Sequence, residues 1–157
     1  MSVLSVVRII LVFLLAVLIA VVLGTIVQTQ INLADLQAID TPISFDERLR
    51  TTGRDLLSFT PLMTILVGAS FLCALPVAEL ASRILKPMRV LVYFLAGAVG
   101  IWVAFQAVDW YAPPPVFIAA TRDWPGTLAI MAAVGIGSAL FGLITRPKTR
   151  RGLRVLG

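Results

Sequence analysis

The stretch Ile9-Ile-Leu-Val-Phe-Leu-Leu-Ala-Val-Leu-Ile-Ala-Val-Val-Leu-Gly-Thr-Ile-Val27 decides the class of this chain. It is the centre of an uncharged run, Ile9–Ala34, of 26 residues. A helix rises 1.5 Å per residue and the hydrocarbon core of a bilayer is about 30 Å thick, so roughly 20 apolar residues cross it. Three more uncharged runs are of comparable length: Leu56–Ala78, Val90–Val108 and Trp124–Thr145, at 23, 19 and 22 residues. The expected fold is all-α, a polytopic membrane protein folded as a four-helix bundle, with spans at about 4–27, 60–82, 89–111 and 125–145.

The first run is longer than the roughly 7–15 residues of a signal-peptide core, and no small-x-small cleavage pattern follows it before Asp35. It reads as a retained signal-anchor helix. Four spans leave little chain for anything else. The outer loop 28–59 is too short to bury a core of its own, so the whole of 1–157 is expected to form one membrane-embedded domain. Hydrophobic residues make up 59% of the chain and charged ones 13%, half the roughly 25% usual in soluble domains.

Placing the charges orients the spans. The N-terminal segment, the connection between spans two and three, and the C-terminal tail 146–157 hold Arg8, Arg83, Lys86, Arg89, Arg146, Lys148, Arg150, Arg151 and Arg154, with Glu79 as their only acid. The opposite loops hold Arg48, Arg50, Arg54 and Arg122 against Asp35, Asp40, Asp46, Glu47, Asp55, Asp109 and Asp123. Short loops rich in Lys and Arg remain cytoplasmic. Both termini are therefore expected in the cytoplasm of a cell whose inner membrane the chain crosses four times. The basic tail suits anionic lipid headgroups. Nucleic acid is not an expected partner, since neither a folded basic domain nor an interleaved aromatic set accompanies the cations.

Within the outer loop, Thr41-Pro42 marks a break. Ser44 and Glu47 then match a capping box, and Phe45, Leu49 and Leu56 recur at helical spacing. The pattern predicts a short amphipathic helix lying on the outer membrane interface, with folding back over the bundle as the alternative. Gly53 is a candidate break before the second span. That span contains Pro76, which predicts a kink. Trp110, Tyr111 and Trp124 form an expected aromatic belt, and Pro113–Pro115 a stiff extended exit.

Helices in lipid associate through small residues that let backbones approach. Each span has such a stripe: Ala16, Ala20 and Gly24; Ser70, Ala74, Ala78 and Ser82; Ala96, Gly100 and Ala104; and, most regular, Ala132, Gly135, Ala139 and Gly142. The last is the predicted packing seam, within the bundle or toward another subunit.

Candidates for chemistry are few. Histidine is absent and Cys73 is the only cysteine, so the usual metal and haem ligand sets cannot be assembled; no cofactor or metal is expected. Cys73, midway along the second span, reads as a small buried hydrophobe. Glu79 and Arg83 share a helix face at i, i+4, as an ion pair or, less simply, a proton or ion relay. Asp109 and Arg122 flank the outer connection between the third and fourth spans and form a candidate ion pair or polar ligand mouth. No phosphate loop, nucleophile elbow or HExxH motif is present. The expected role is a non-enzymatic accessory or scaffold subunit of a membrane assembly. Its partner would be another membrane protein or further copies of the chain. The alternatives are a homo-oligomeric channel or small transporter, and an enzyme acting on lipid.

Overall fold

The computed structural model describes residues 3–39, 42–111 and 118–146. It contains five α-helices: α1 (Val3–Ala38), α2 (Phe45–Ser58), α3 (Thr60–Ile84), α4 (Arg89–Tyr111) and α5 (Trp124–Ile144). Single 3₁₀ turns precede α4 (Lys86–Met88) and α5 (Ala119–Thr121), and the described residues include no strand. The helices α1, α3, α4 and α5 are each long and apolar enough to cross a membrane. The predicted Pro113–Pro115 exit, Thr41 of the predicted Thr41-Pro42 break and the tail from Pro147 lie outside the described residues.

The four long helices form a ring in the order α1, α3, α4, α5. The most extensive faces join α4 to α5, α1 to α5 and α3 to α4, while α1 and α3 meet along a shorter seam. Arg8 on α1 donates to the Ile144 carbonyl of α5, and Arg89 on α4 reaches Ser82 of α3 and Thr145 beyond α5. These bonds bring the start of α1, the end of α3, the start of α4 and the end of α5 together at one end of the bundle. Every described cation of the predicted cytoplasmic set lies there, so this is the basic end. The opposite end carries α2 and the α4–α5 connection.

Tyr93, Phe71, Met63, Ile101, Ile130, Val21, Val67 and Val134 fill the interior. Leu18, Ile65, Leu72, Val77, Val103 and Ile136 are among the many large apolar side chains left outside. An exterior of this kind is costly in water and well matched to hydrocarbon.

Small residues set the helix spacing. A Cβ on Gly137 would come within 2.6 Å of the Ala20 Cβ and 2.7 Å of the Ala16 carbonyl, so α5 lies directly on the α1 backbone there. The face toward α4 is Gly135, Ser138 and Gly142: the two glycines meet Phe94 and Tyr93, and Ser138 donates to the Tyr93 carbonyl at 2.6 Å. Of the predicted seam, Gly135 and Gly142 lie on this face, while Ala132 is exposed and Ala139 half-buried. Ser138 takes the intermediate position, because steps of three and four in either order fit a helix of 3.6 residues per turn.

Three expectations are revised. First, α1 does not end near residue 27. At 36 residues it is about 54 Å long and projects well beyond a 30 Å apolar slab, with Gln28–Ala38 as an arm. The polar face of α2 supports that arm: Arg48 donates to Gln30 (2.9 Å) and Gln37, Gln30 donates to Thr52 at 3.0 Å, and Thr29 donates to Asp55 at 2.8 Å. Second, Gly53 does not break α2. The helix continues to Ser58 and joins α3 through Phe59 alone, because Pro61 has no N–H to bond the Leu57 carbonyl. Third, Cys73 is exposed on the outer face of α3 rather than buried. At the N-terminus of α2 the capping box forms in full: the Glu47 N–H donates to the Ser44 hydroxyl, and the Ser44 N–H to the Glu47 carboxylate at 2.8 Å.

Candidate functional site

The basic end contains the most connected polar cluster among the described residues. Its centre is Arg89, the first residue of α4, only 7% exposed. The guanidinium reaches α3, its own helix α4 and the end of α5 at once. Its Nε donates to the Gly142 carbonyl at 3.2 Å and its Nη1 to the Ser82 hydroxyl at 2.9 Å. Its Nη2 lies 2.8 Å from Glu79 Oε2, 3.2 Å from the Tyr93 hydroxyl and 3.3 Å from the Thr145 hydroxyl. Tyr93 donates to the same Glu79 oxygen at 2.7 Å, and Arg89 stacks over the Tyr93 ring at 4.8 Å.

Local structure explains why these groups converge. Glu79 and Ser82 are three residues apart on one face of α3, and Arg89 and Tyr93 four apart on one face of α4. The turn Leu85–Met88 closes the α3–α4 hairpin tightly enough to bring those faces together. The last carbonyls of α5 carry the negative end of its dipole and have no intrahelical donors. Arg89 bonds Gly142 and Arg8 bonds Ile144, so cations from α4 and α1 both cap α5. An arginine is suited to this position, since its planar fork serves several acceptors with one charge.

The predicted pair Glu79–Arg83 is present but loose, at 3.7 Å with Arg83 largely exposed. Arg89 is the closer partner of Glu79, and sequence reasoning assigned it to a cytoplasmic turn.

Beside the cluster a cavity of about 730 Å³ opens between α1 and α3. Its walls include Ile9 and Phe13 from α1, Leu72, Leu75 and Pro76 from α3, and Phe141 from α5. Glu79 and Tyr93 also line it, as do Arg8, Arg83 and Arg146 at the basic end.

At the opposite end, Asp109 and Arg122 face a smaller cavity of about 150 Å³ with Gln106, Trp102 and Trp124. They form no ion pair within 4.0 Å. Trp110, Tyr111 and Trp124 are all exposed near this level. No group of three or more metal-binding side chains occurs among the described residues. Compared with known proteins, the chain matches no family model, no curated protein and no solved structure.

Proposed function

We propose that this chain is a multi-pass inner-membrane protein that serves as a non-enzymatic scaffold or accessory subunit of a membrane assembly. The observation that carries this reading is the engagement of Arg89. One buried guanidinium ties α3, α4 and the end of α5 together, and Glu79 is held by both Arg89 and Tyr93. The hydrogen bond from Tyr93 and the close pair with Arg89 favour an anchoring role for Glu79 over a proton relay. A bundle locked in this way offers a rigid apolar surface to a neighbour.

The position of the charges supports an orientation with both termini cytoplasmic. Arg8, Arg83, Lys86, Arg89 and Arg146 gather at one end, which suits the side that retains Lys and Arg. The opposite end then faces outward. There α2 turns its polar face to α1 and leaves Phe45, Leu49 and Leu57 exposed, an arrangement suited to the membrane interface.

Mild extraction from native membranes followed by native mass spectrometry tests the reading. The expected result is a second membrane protein in fixed stoichiometry with this chain. A defined homo-oligomer without a partner, together with ion flux in liposomes that Glu79→Gln abolishes, would overturn it in favour of a channel.

A further inference from the structure

The cavity between α1 and α3 has the dimensions and chemistry of a site for one lipid molecule. Its α3 wall runs from Phe71 to Arg83, twelve helical steps or about 18 Å along the helix, close to half of a 30 Å apolar core. It therefore matches the depth of a single leaflet. Its volume of about 730 Å³ lies within the roughly 300–1,000 Å³ range of small-ligand sites.

The lining is graded along its length. The deep part is formed by Phe13, Phe71, Leu72, Leu75, Pro76 and Phe141. Pro76 lacks the N–H that would bond the Leu72 carbonyl, so α3 is loosened where the cavity lies, and the α1–α3 seam is the least extensive of the ring. At the basic end of the lining the charge is cationic. Arg8, Arg83 and Arg146 are all exposed there, on or just beyond three different helices. The one carboxylate on the wall, Glu79, is engaged closely by Arg89 and Tyr93 and so repels an incoming anion little, and its pair with Arg83 is loose at 3.7 Å.

We infer that this cavity is a binding site for an anionic phospholipid, with one acyl chain between α1 and α3 and its phosphate among Arg8, Arg83 and Arg146. Charge complementarity selects the occupant: a zwitterionic headgroup fills the same apolar trough but gains less from three cations. The inference is independent of the accessory-subunit reading, since a scaffold and a channel would use such a lipid equally.

The test uses the purified full-length chain in a mild detergent, titrated with phosphatidylglycerol and with phosphatidylcholine of identical acyl chains. Native mass spectrometry reads the number of lipids retained. One phosphatidylglycerol is expected to bind at least tenfold more tightly than phosphatidylcholine. Each cation near a lipid surface contributes roughly a fivefold factor, so Arg83→Gln and Arg8→Gln should each weaken phosphatidylglycerol several-fold and leave phosphatidylcholine unchanged. Leu72→Trp, on an exposed side chain that lines the cavity, should remove the retained lipid of either kind. Equal retention of the two lipids would overturn the proposal. So would phosphatidylglycerol binding insensitive to both Arg83→Gln and Leu72→Trp, and so would binding of soluble glycerol phosphate as tight as that of the lipid. Circular dichroism on each variant identifies any that fail to fold. The two surface substitutions, Arg83→Gln and Leu72→Trp, provide independent readings of the headgroup and chain ends.

Discussion

Arg89 Nη2 lies 2.8 Å from Glu79 Oε2, and the two residues sit ten positions apart on opposite arms of the α3–α4 hairpin. The pair is asymmetric: the Arg89 side chain is 8% exposed, whereas that of Glu79 is 36% exposed and lines the cavity. Removing the arginine therefore harms more than one bond. It leaves the Gly142 carbonyl and the Ser82 hydroxyl without their cation, and a half-buried carboxylate with only the looser Arg83 at 3.7 Å.

Arg89→Ala is expected to destabilise the bundle by about 3 kcal/mol, the lower end of the cost of breaking a buried pair because Glu79 retains some exposure. Arg89→Lys should recover little, since an ammonium on a flexible stem cannot serve Gly142, Ser82 and Glu79 together. Thermal unfolding in detergent measures both. A double-mutant cycle with Glu79→Gln should show strong coupling, and additive losses would refute the lock.

Two glycines make a matched comparison of helix packing. Gly137→Val drives a side chain into Ala16 and Ala20 of α1 and should cost about 1–3 kcal/mol through overpacking. Gly68→Ala adds a methyl to open space on α3 and should be neutral or stabilise by up to about 1 kcal/mol through helix propensity. A reversed order would mean that α5 does not lie on α1 as described.

The cap of α2 introduces a pH dependence outside the membrane-spanning helices. The Glu47 carboxyl is held below its ordinary value of 4.5, chiefly by the Ser44 backbone N–H, then by the Ser44 hydroxyl, with Arg50 adding a smaller effect in the same direction. Because the folded value lies below the unfolded one, this stabilisation is present above the unfolded carboxylate's pKa and is lost as pH falls through the folded value. Hydrogen-exchange protection in Phe45–Ser58 should therefore weaken on acidification below about pH 4.5, once corrected for intrinsic exchange. Ser44→Ala should lower protection at neutral pH and flatten the dependence; an unchanged profile in that variant would contradict the capping role.

Cysteine accessibility checks the orientation. In a Cys73→Ser background, Ser58→Cys at the α2–α3 joint should react with an impermeant maleimide applied to intact spheroplasts. Lys86→Cys at the basic end should react only after permeabilisation. The opposite pattern would invert the proposed topology.

The four long helices were legible in the chain because bilayer thickness acts on composition alone: an uncharged run of 19 or more residues needs no knowledge of its neighbours. The capping box was legible for a similar reason, since Ser44 and Glu47 are local partners. The extent of α1 beyond Val27 was not. Gln28, Thr29 and Gln30 look like a helix leaving the membrane, but Thr29 and Gln30 bond Asp55, Arg48 and Thr52 on α2, and Gln28, Thr29 and Leu33 are buried, so the helix continues. Cys73 failed as a buried residue for a related reason: position along a span sets depth, while exposure depends on which way that face of α3 points.

Arg89 marks the same boundary in the site. By itself the sequence determined that a cation follows the α3–α4 turn and that Glu79 lies one turn inside the end of α3, because hydropathy and helical period are properties of neighbouring residues. Only the tertiary structure decided that Arg89 points inward to Glu79, Ser82, Tyr93 and the end of α5, and that α1 and α3 part to leave a cavity beside them. Those relations depend on how four helices rotate about their own axes, which close approaches such as Gly137 on Ala20 fix and no local pattern encodes.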